Sequence, residues 1–524
     1  MTEPATGTDL RARTLADLIV ARAEATPAAP MLFDERDREM TFAGYAAAVD
    51  DLAARFVARG VEPGSVVAWQ LPTRIETVVV MGALARLGVT QVPVLPIHRE
   101  RELRFMLEQS GAQWWCGPGT WRGYDFDALG ARVQADLGTF AIIRCAPQPE
   151  ADPDAVAAVS LPGPPGDGDG VRWIFYSSGT TAEPKGARIT DRAAMASGLG
   201  MATAQRYRPD DRYGIAFPFT HIGGLTNLSA VLQRGFALIL IDAFDPPVAV
   251  DVFARHQATI VGGGPAFYRA YLDQQRRRPG EPILPALRFM VGGGAPMPPA
   301  MHAEVRDEIG GRGCAHGYGM TESCSILALN DPDDTDDHLA HTVGRVVPGM
   351  EARVLGRSGV VAPPGEAGEL QVRGAFLMEG YVDSSLDAEA FTADGWFRTG
   401  DLGSVDVDGY LRITGRTKDI IIRKGENISA TELEDLLYTH PAVADVAVIG
   451  LPDDERGELA CAVVVVAAGA PAPTLADLAD HLTAAGLMRQ KLPERVEYRA
   501  TIPRNAAGKA LKPQLASEYG QPHG

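Results

Sequence analysis

The chain has 524 residues, of which 46% are hydrophobic and 22% are charged, and its formal net charge is −18. A single hydrophobic core rarely grows beyond about 300 residues, so length and composition predict a globular protein of at least two domains. The negative charge argues against nucleic acid recognition, which requires clustered cations, although a local cationic pocket could still bind a small anion.

The N-terminal stretch, the apolar runs and the cysteines indicate the cellular compartment of the protein. The N-terminal stretch is polar and acidic, so it is not a signal peptide. The longest uncharged apolar run, residues 459–473, is shorter than the roughly 18 residues of a membrane helix, and its valines favour a buried strand. We therefore expect a cytoplasmic protein without a transmembrane segment. Its scattered cysteines form neither a disulfide framework nor a zinc-ligand pair: Cys116, Cys145, Cys314, Cys324 and Cys461.

Helix and strand patterns alternate along the first 300 residues. Thr41 is the predicted N-cap of a helix that ends at Gly60. Strands spaced by helices predict βαβ units and parallel sheets. Further elements are predicted as a helix at 74–87 and as strands at 65–70, 90–94, 172–176, 236–241, 258–261 and 287–291.

After about residue 350, the predicted strands become shorter and the turns more frequent. From Asp419 onward the predicted order is strand, helix, strand, strand, helix, strand. This segment has about a hundred residues, which is enough for an α+β domain that folds alone. Ser429 and Glu432 predict a capping box at the start of its first helix.

Residues 176–190, YSSGTTAEPKGARIT, form a candidate phosphate-binding loop between a predicted strand and a helix capped by Thr190 or Asp191. Small residues allow close backbone approach, hydroxyls supply donors and a lysine supplies charge, which together suit a polyphosphate. The spacing of a Walker A loop is absent. A polar surface loop could have the same composition, so this stretch alone does not decide. The candidate ligands are Ser177, Ser178, Gly179, Thr180, Thr181 and Lys185.

Further motifs follow in a fixed order. Together with the loop they resemble the adenylate-forming superfamily, which includes acyl-CoA synthetases, firefly luciferases and nonribosomal peptide adenylation domains. The motifs are PFTHIGGL (218–225), VGGGAPMP (291–298), HGYGMTES (316–323), GELQVRG (368–374), GWFRTGDLG (395–403), GRTKDIIIRKGENIS (415–429) and PRNAAGKALK (503–512).

The resemblance implies an α/β fold in two parts. Residues 1–416 would form a large AMP-binding domain with doubly wound parallel sheets and a distorted β-barrel part. Residues 419–524 would form a small, mobile α+β lid domain, with a hinge at Lys418.

The resemblance also implies roles in nucleotide binding. Glu322 and Thr181 would hold Mg²⁺ on the ATP phosphates, since a hard cation prefers oxygen ligands. Tyr318 would lie against adenine. Asp401 would accept both ribose hydroxyls, and Arg416 would contact ribose or phosphate. Gly293, Ala295, Gly319 and Thr321 complete the implied ATP and AMP site.

The remaining implied roles concern catalysis and coenzyme A. Lys509 would reach the substrate carboxylate and the α-phosphate, where a cation stabilises the charged transition state. His221 would gate the acyl site, and Glu426 would face it during thioester formation. Gly425 would let the pantetheine arm pass, next to Lys424.

Two residues depart from the family pattern. Ala182 stands where the phosphate loop usually has glycine, at a cost of about 1 kcal/mol if the position needs a positive φ. Lys424 stands where many members have glycine. It could narrow the pantetheine passage or bind a phosphate of CoA, and the sequence leaves both possibilities open.

The implied reaction converts a carboxylic acid and ATP to acyl-AMP and pyrophosphate, and then acyl-AMP and CoA to acyl-CoA and AMP. Residues 421–437 and 486–498 look most similar to medium-chain and cyclohexanecarboxylate CoA ligases. Three alternatives stay open: loading of a carrier-protein thiol, a luciferase-like oxygenase and a non-catalytic ATP-binding relative. The sequence also leaves homodimerisation open.

Glycines near the expected acyl site suggest the kind of acid. They occur at 223–224, 262–264 and 292–294, and no lysine or arginine lies within 217–224. We expect these glycines to widen an apolar pocket for a bulky monocarboxylate. The same glycines could instead form tight turns or approach the nucleotide.

Overall fold

The computed structural model describes residue 10 and residues 12–145, 160–177, 184–356, 358–423, 426–453, 456–505 and 508–520. Of the predicted site, Ser178, Gly179, Thr180, Thr181, Lys424 and Gly425 lie outside the described residues, as do Ala182 and the side chain of Glu426. Within the described ranges, no helix is both long and apolar enough to cross a bilayer.

The stretch up to residue 145 alternates helices and strands as predicted. Thr41 Oγ1 accepts the Gly44 amide and so caps the second helix, which ends two residues before Gly60. The elements are α1 (Leu15–Ala25), β1 (Pro30–Asp34), β2 (Glu39–Thr41), α2 (Phe42–Ala58), β3 (Val66–Trp69), α3 (Ile75–Arg86), β4 (Thr90–Pro93), α4 (Glu100–Ser110), β5 (Trp114–Gly117), β6 (Thr120–Trp121), β7 (Tyr124–Asp125), α5 (Phe126–Leu137) and β8 (Ala141–Arg144).

The next stretch continues this alternation, and the four strands predicted in it are present. Its elements are β9 (Val171–Ser177), β10 (Lys185–Thr190), α6 (Asp191–Ala204), β11 (Arg212–Ile215), α7 (Ile222–Arg234), β12 (Ala237–Leu240), α8 (Pro246–Arg255), β13 (Ile260–Gly262), α9 (Pro265–Arg276), β14 (Phe289–Gly292), α10 (Pro299–Glu304), β15 (Cys314–Tyr318), β16 (Ala328–Leu329), α11 (Asp336–His341) and β17 (Arg345–Val346).

Two large sheets are built from these strands, and the predicted parallel α/β architecture is confirmed. One has the order β17-β16-β15-β14-β13-β11-β12-β1-β2 and is parallel from β15 to β1. The other has the order β10-β9-β4-β3-β5-β8 and is parallel from β9 to β8. Ligands bind at the carboxyl ends of such strands, which places the candidate site at the ends of β9, β14 and β15.

The strand β10 was not predicted. It pairs antiparallel with β9, so the candidate phosphate loop connects a hairpin instead of leading from a strand directly into a helix. Its sequence, KGARIT, has little intrinsic strand preference, and pairing with β9 overrides local propensity. Thr190 caps the following helix α6 as predicted, since its Oγ1 accepts the Ala193 amide at 3.1 Å.

The final part of the chain contains two further sheets. The first is antiparallel, has the order β18-β19-β20-β21 and lies within the predicted barrel part. The second has the order β23-β22-β25-β24, and β26 also pairs with β25. The boundary predicted at residues 416–419 falls between these two sheets. The elements are β18 (Met350–Leu355), β19 (Gly368–Gly374), α12 (Asp387–Ala390), β20 (Phe397–Val405), β21 (Leu411–Arg416), β22 (Ile420–Arg423), β23 (Glu426–Ser429), α13 (Ala430–Leu437), β24 (Val443–Asp453), β25 (Gly457–Val466), α14 (Leu475–Ala484), β26 (Arg495–Arg499) and α15 (Lys512–Tyr519).

This last segment differs from its prediction in three details. Two short strands, β22 and β23, precede α13 where one was expected, and α15 was not predicted because it is short and buries only Leu515. Ser429 caps α13 through the Glu432 amide, but the capping box is only half formed. The Glu432 carboxylate instead pairs with Lys491 Nζ at 2.6 Å.

A buried carboxylate fixes the helix that follows the phosphate loop. Asp191 is 1% exposed, and its two oxygens accept Trp173 Nε1–H at 2.9 Å and the Leu15 amide at 3.0 Å. Burial raises the pKa of this carboxyl group, while both hydrogen bonds oppose the rise. One side chain thus ties together β9, α6 and the start of α1.

Replacement of Asp191 by alanine should lower the free energy of unfolding by about 2–4 kcal/mol, because two buried donors lose their acceptor. The denaturation midpoint, followed by tryptophan fluorescence, would report the loss. Asp169→Ala is the control, since Asp169 pairs with Arg192 on an exposed surface and should change stability by less than about 0.5 kcal/mol. Equal stability of the two variants would contradict this role for Asp191.

Candidate functional site

The hairpin β9–β10 holds both ends of the candidate phosphate loop. Ser177 and Lys185 are paired across the hairpin, and Ser177 Oγ donates to the Lys185 carbonyl at 3.4 Å. The Lys185 ammonium lies 5.5 Å from the centre of the Tyr381 ring. A cation over a tyrosine face is attracted by the ring, so Lys185 has a defined position at the mouth of the loop.

The same tyrosine holds Glu322. Tyr381 Oη donates to Glu322 Oε1 at 2.9 Å, and both side chains are buried. The Met378 amide donates to the Glu322 carbonyl at 2.9 Å, which ties the segment of Tyr381 to the turn that carries Glu322. Tyr381 therefore links a predicted phosphate contact to a predicted metal ligand.

Glu322 suits a metal ion that arrives with phosphate. No described residue donates to its second oxygen, Oε2, so that oxygen is available as a hard ligand. Within the described ranges, no cluster of three or more His, Cys, Asp or Glu side chains could hold an ion alone. A single carboxylate oxygen fits Mg²⁺ that takes its remaining ligands from phosphates and water.

The turn that carries Thr321 and Glu322 has a strained end. Residues 321–323 form one 3₁₀ turn, after which Cys324 and Ser325 have φ of 48° and 82°. Side chains with a Cβ rarely adopt this conformation, and such strain concentrates at functional sites. Two fully buried hydroxyls, of Ser197 and Thr226, donate to the Cys324 carbonyl at 2.6 and 3.0 Å and hold the turn in place.

Gly319, in the same segment, is required by close packing. A Cβ at this position would lie 2.1 Å from the Ser325 carbonyl oxygen, so a larger residue would displace the strained end of the turn. Gly319 is thus a structural requirement for the geometry of Thr321 and Glu322, whatever it contacts in a bound nucleotide.

Asp401 is the most enclosed charged group of the site, with 1% of its surface exposed. Arg416 Nε lies 2.9 Å from its Oδ1, across the register of β20 and β21, and Tyr318 Oη donates to its Oδ2. Burial raises the pKa of Asp401, and the nearby Arg416, Tyr318 and Lys509 oppose that rise. Three predicted site residues are therefore in direct contact here.

Lys509 reaches this cluster from the C-terminal segment. A tight turn carries it: the Lys509 amide donates to Asn505 Oδ1, and the Asn505 amide donates to the Lys509 carbonyl, both at 2.9 Å. Arg504 braces the turn by donating to the Gly508 carbonyl and to Asp445, each at 2.8 Å. Arg504 belongs to the motif at 503–512, but no local pattern there marks it as the residue that braces the turn.

Burial lowers the pKa of Lys509 to about 8, and Arg416 adds to this decrease. Asp419 and Asp401 raise the pKa, and Lys512 lowers it slightly. Lys509 is therefore an amine whose pKa lies close to neutral pH, enclosed beside a carboxylate and a guanidinium. Groups with pKa values perturbed in this way are concentrated at active sites.

Gly293 and Ala295 lie on the loop after β14. The side chain of His316, on the neighbouring strand β15, contacts this loop through Nε2, 3.1 Å from the Ala295 carbonyl. Burial lowers the pKa of His316 to about 4, so its imidazole is neutral and Nε2 carries the donating hydrogen. The loop therefore has a fixed position along the edge of the site.

His221 is the N-cap of α7. Its Nδ1 accepts the Gly223 amide at 3.2 Å, which leaves Nε2 as the protonated nitrogen, and burial lowers its pKa to about 4. His221 borders a small cavity of about 20 Å³ that is partly open to solvent. None of the residues around the cavity carries a fixed charge: Pro93, Leu95, His98, Met106, Phe175, Tyr176, Thr220, His221, Ile222 and Thr321.

The expectation that glycines widen the acyl pocket is wrong for Gly224, Gly262, Gly263, Gly292 and Gly293, because a Cβ at each would come within 3 Å of neighbouring protein atoms. A Cβ on Gly292 would lie 1.3 Å from the Gly263 carbonyl oxygen, and one on Gly224 would lie 2.0 Å from the Phe219 carbonyl oxygen. Both are required by backbone packing. At Gly223, a Cβ would come within 3.0 Å of the Phe217 ring, so this glycine gives room only to an aromatic neighbour.

The residues predicted for coenzyme A can be placed only in part. Lys418 is exposed in the short turn Thr417–Asp419 between β21 and β22, where a hinge was predicted. Glu426 begins β23, opposite Arg423. Their roles stay predictions, as do those of Lys424 and Gly425.

Known protein families and individual proteins resemble this chain over most of its length. The AMP-binding enzyme family matches residues 19–382, and the AMP-binding enzyme C-terminal domain matches residues 432–509. Two curated relatives are CoA ligases. The 3-[(3aS,4S,7aS)-7a-methyl-1,5-dioxo-octahydro-1H-inden-4-yl]propanoyl:CoA ligase of Mycobacterium tuberculosis is 33% identical, over 91% of this chain and 94% of its own length. The medium-chain fatty-acid–CoA ligase of Escherichia coli is 30% identical, over 95% and 89%.

Among solved structures, ATP-bound MatB from Rhodopseudomonas palustris superimposes with a TM-score of 0.86 at 28% identity, over 97% of this chain and 99% of that chain.

The titration of Lys509 can be tested by competitive labelling of lysine amines over a range of pH. The midpoint for Lys509 should lie near 8. Asp401→Asn should lower it, because a carboxylate that favours the ammonium form is lost. Arg416→Gln should raise it, because a repelling cation is lost. The other lysines serve as internal controls, and a shift of both variants in the same direction would contradict the proposed surroundings of Lys509.

Proposed function

The chain belongs to the AMP-binding enzyme family, and on that premise we propose that it joins a medium-chain or alicyclic monocarboxylic acid to coenzyme A. It is an AMP-forming acid–thiol ligase that uses ATP and CoA, like the relatives that match it over almost their whole length. The acid and the individual residue roles below form the proposal.

The observation that carries the residue roles is the direct contact of Asp401 with Arg416 and Tyr318, with the buried Lys509 near enough for its charge to act on Asp401. Lys509 comes from the C-terminal segment and the other three from the preceding part of the chain. A buried anionic group surrounded by two cations and a phenol is a preorganised electrostatic environment, which is what transfer of a charged phosphate group requires. Glu322 and Lys185 both contact Tyr381, Glu322 through its hydroxyl and Lys185 over its ring.

In the first half-reaction, a carboxylate oxygen of the acid attacks the α-phosphorus of ATP. The bond to pyrophosphate breaks, and the acyl-adenylate forms. Lys509, as an ammonium, stabilises the negative charge shared between the carboxylate and the phosphate, and Asp401 accepts hydrogen bonds from the ribose hydroxyls. Glu322 would hold Mg²⁺ on the ATP phosphates, and the bound ion would supply neutralisation of phosphate charge there.

In the second half-reaction, the CoA thiol loses its proton to solvent and its sulfur bonds to the acyl carbon, while the bond from that carbon to the phosphate oxygen breaks and AMP leaves. His221 is neutral at physiological pH, since burial lowers its pKa to about 4, so it adds no charge beside the acyl group. Rotation of the C-terminal segment about Lys418 would exchange Lys509 for residues 424–426 between the steps.

The surroundings of His221 support an acid with an uncharged tail. His221 borders the small cavity without fixed charges, and the Phe217 ring packs edge-on against its imidazole at 6.3 Å. A second carboxylate or sulfonate buried there would have no cation to pair with, which is costly. The two CoA ligase relatives described above are named for a fatty acid and a bicyclic acid, which fits the same preference.

A panel of acids tests the proposed substrate. Activity (kcat/KM) should rise from acetate towards octanoate and cyclohexanecarboxylate, by up to about fourfold per buried methylene, or about 0.8 kcal/mol. Pyrophosphate release with and without CoA would measure it, and CoA should accelerate turnover. Highest activity on acetate, malonate or an amino acid would contradict the proposed acid, and turnover only with a carrier protein would favour the alternative acceptor.

Replacement of Lys509 by alanine should reduce adenylate formation by at least about a hundredfold, or about 3 kcal/mol of barrier. Conversion of supplied octanoyl-AMP and CoA to octanoyl-CoA should be much less affected, because Lys509 acts on the pyrophosphate-releasing step. Lys512→Ala is a matched control on the same segment. Equal losses in both half-reactions would exclude the role proposed for Lys509.

A further inference from the structure

The start of α9 contacts the C-terminal segment at two points. A Cβ built on Gly508 would lie 3.3 Å from the side chain of Ala266, so the backbone next to Lys509 packs directly on the first turn of this helix. One turn further, the Arg269 guanidinium lies 4.8 Å from the centre of the Tyr438 ring, at the end of α13. Residues three apart share a helix face, so both contacts are made by one surface.

Arg269 is held in place from its own side. Its Nη1 pairs with Glu304 Oε2 at 3.2 Å. The ion pair already holds the guanidinium in one position, so contact with Tyr438 does not have to order the side chain. Tyr438 packs against the same apolar cluster as α8 and α9, although it belongs to the C-terminal segment. Its hydroxyl is buried, and no described residue bonds to it, so the ring and not the hydroxyl makes the contact.

The C-terminal segment has an interior of its own. Two buried clusters, one reaching from Ile421 to Leu487 and the other from Ala447 to Leu515, contain only residues of this segment. Loss of the contacts with α9 should therefore displace a folded body instead of unfolding it. Because Gly508 precedes Lys509 directly, such a displacement would withdraw the Lys509 amine from Asp401.

We propose that the first two turns of α9 are the platform that positions Lys509, and that stacking of Arg269 on Tyr438 fastens the C-terminal segment to it. Arg269 and Tyr438 are positioning residues, since neither reaches the reacting atoms. The inference rests on the proposed role of Lys509 in adenylation, and it assigns a function to two residues outside every motif of the sequence.

Four variants test the platform. Arg269→Ala and Tyr438→Leu remove the stacking from either side, whereas Tyr438→Phe keeps the ring and removes only the unpartnered hydroxyl. Arg276→Ala is the matched control, because Arg276 lies on the same helix and shares Glu304, but its ion pairs stay within the N-terminal part. Pyrophosphate release from ATP and octanoate, octanoyl-CoA formation from supplied octanoyl-AMP, and the labelling midpoint of Lys509 are measured for each.

Arg269→Ala and Tyr438→Leu should lower kcat for pyrophosphate release by about three- to thirtyfold, with little change in the KM for octanoate. The octanoyl-AMP reaction should be almost unchanged, and the labelling midpoint of Lys509 should rise from about 8 towards that of a free lysine. Tyr438→Phe and Arg276→Ala should behave like the unaltered enzyme. The double variant Arg269→Ala/Tyr438→Leu should lose no more than either single variant.

Two results would overturn the platform: an unchanged labelling midpoint in both stacking variants, or the same losses in Arg276→Ala. If the unaltered enzyme does not release pyrophosphate with octanoate, the proposed acid fails, and the labelling midpoint alone then decides on the platform. If Lys509→Ala retains adenylation while the midpoint moves in Arg269→Ala, the platform stands and the catalytic role of Lys509 fails.

Discussion

The carboxylate of Asp401 is almost completely removed from water, and the geometry of the site follows from that constraint. A buried charge is tolerated only when cations and hydrogen-bond donors surround it. Arg416 and Tyr318 supply two of these partners from β21 and β15, and Lys509 supplies a third from another part of the chain. The same burial that makes the carboxylate costly also reduces the screening of its interaction with Lys509 by water.

Around this cluster, buried supporting side chains hold the other parts of the site in place. Ser197 and Thr226 fix the strained end of the turn at Cys324, and Tyr381 fixes the Glu322 carboxylate. None of these three side chains needs to contact a substrate to matter. Precise placement of reacting groups depends on such supporting contacts, since a small displacement of a charged group removes most of its effect on a transition state.

Local signals in the sequence predicted much of this structure. Thr41 and Thr190 cap helices as expected, and apolar runs gave the parallel strands, because capping and burial act within a few residues. The ordered motifs predicted Tyr318, Asp401 and Lys509 as site residues, and the fold brings these three residues together. Tyr381 and Arg504 were missed, because their partners Glu322 and Asp445 lie 59 residues away and no local pattern marks the pairing. Gly292 was misjudged for the same reason, since only the neighbouring strand shows why it lacks a side chain.

The long sequence separation between α1 and some of its partners affects how the chain folds during synthesis. Arg22 of α1 donates to the Leu232 carbonyl, 210 residues later, and Asp191 accepts the Leu15 amide across 176 residues. At about 5–20 residues per second, the ribosome needs on the order of 10–40 s to deliver these partners after α1 has been synthesised. During that interval α1 can pack only on α2 and α3, which follow it closely in the chain, and its contacts with α7 are still missing. The side of α1 that faces α7 therefore stays uncovered until residue 232 has been synthesised, and a chaperone that binds short apolar helices would find its site on that side.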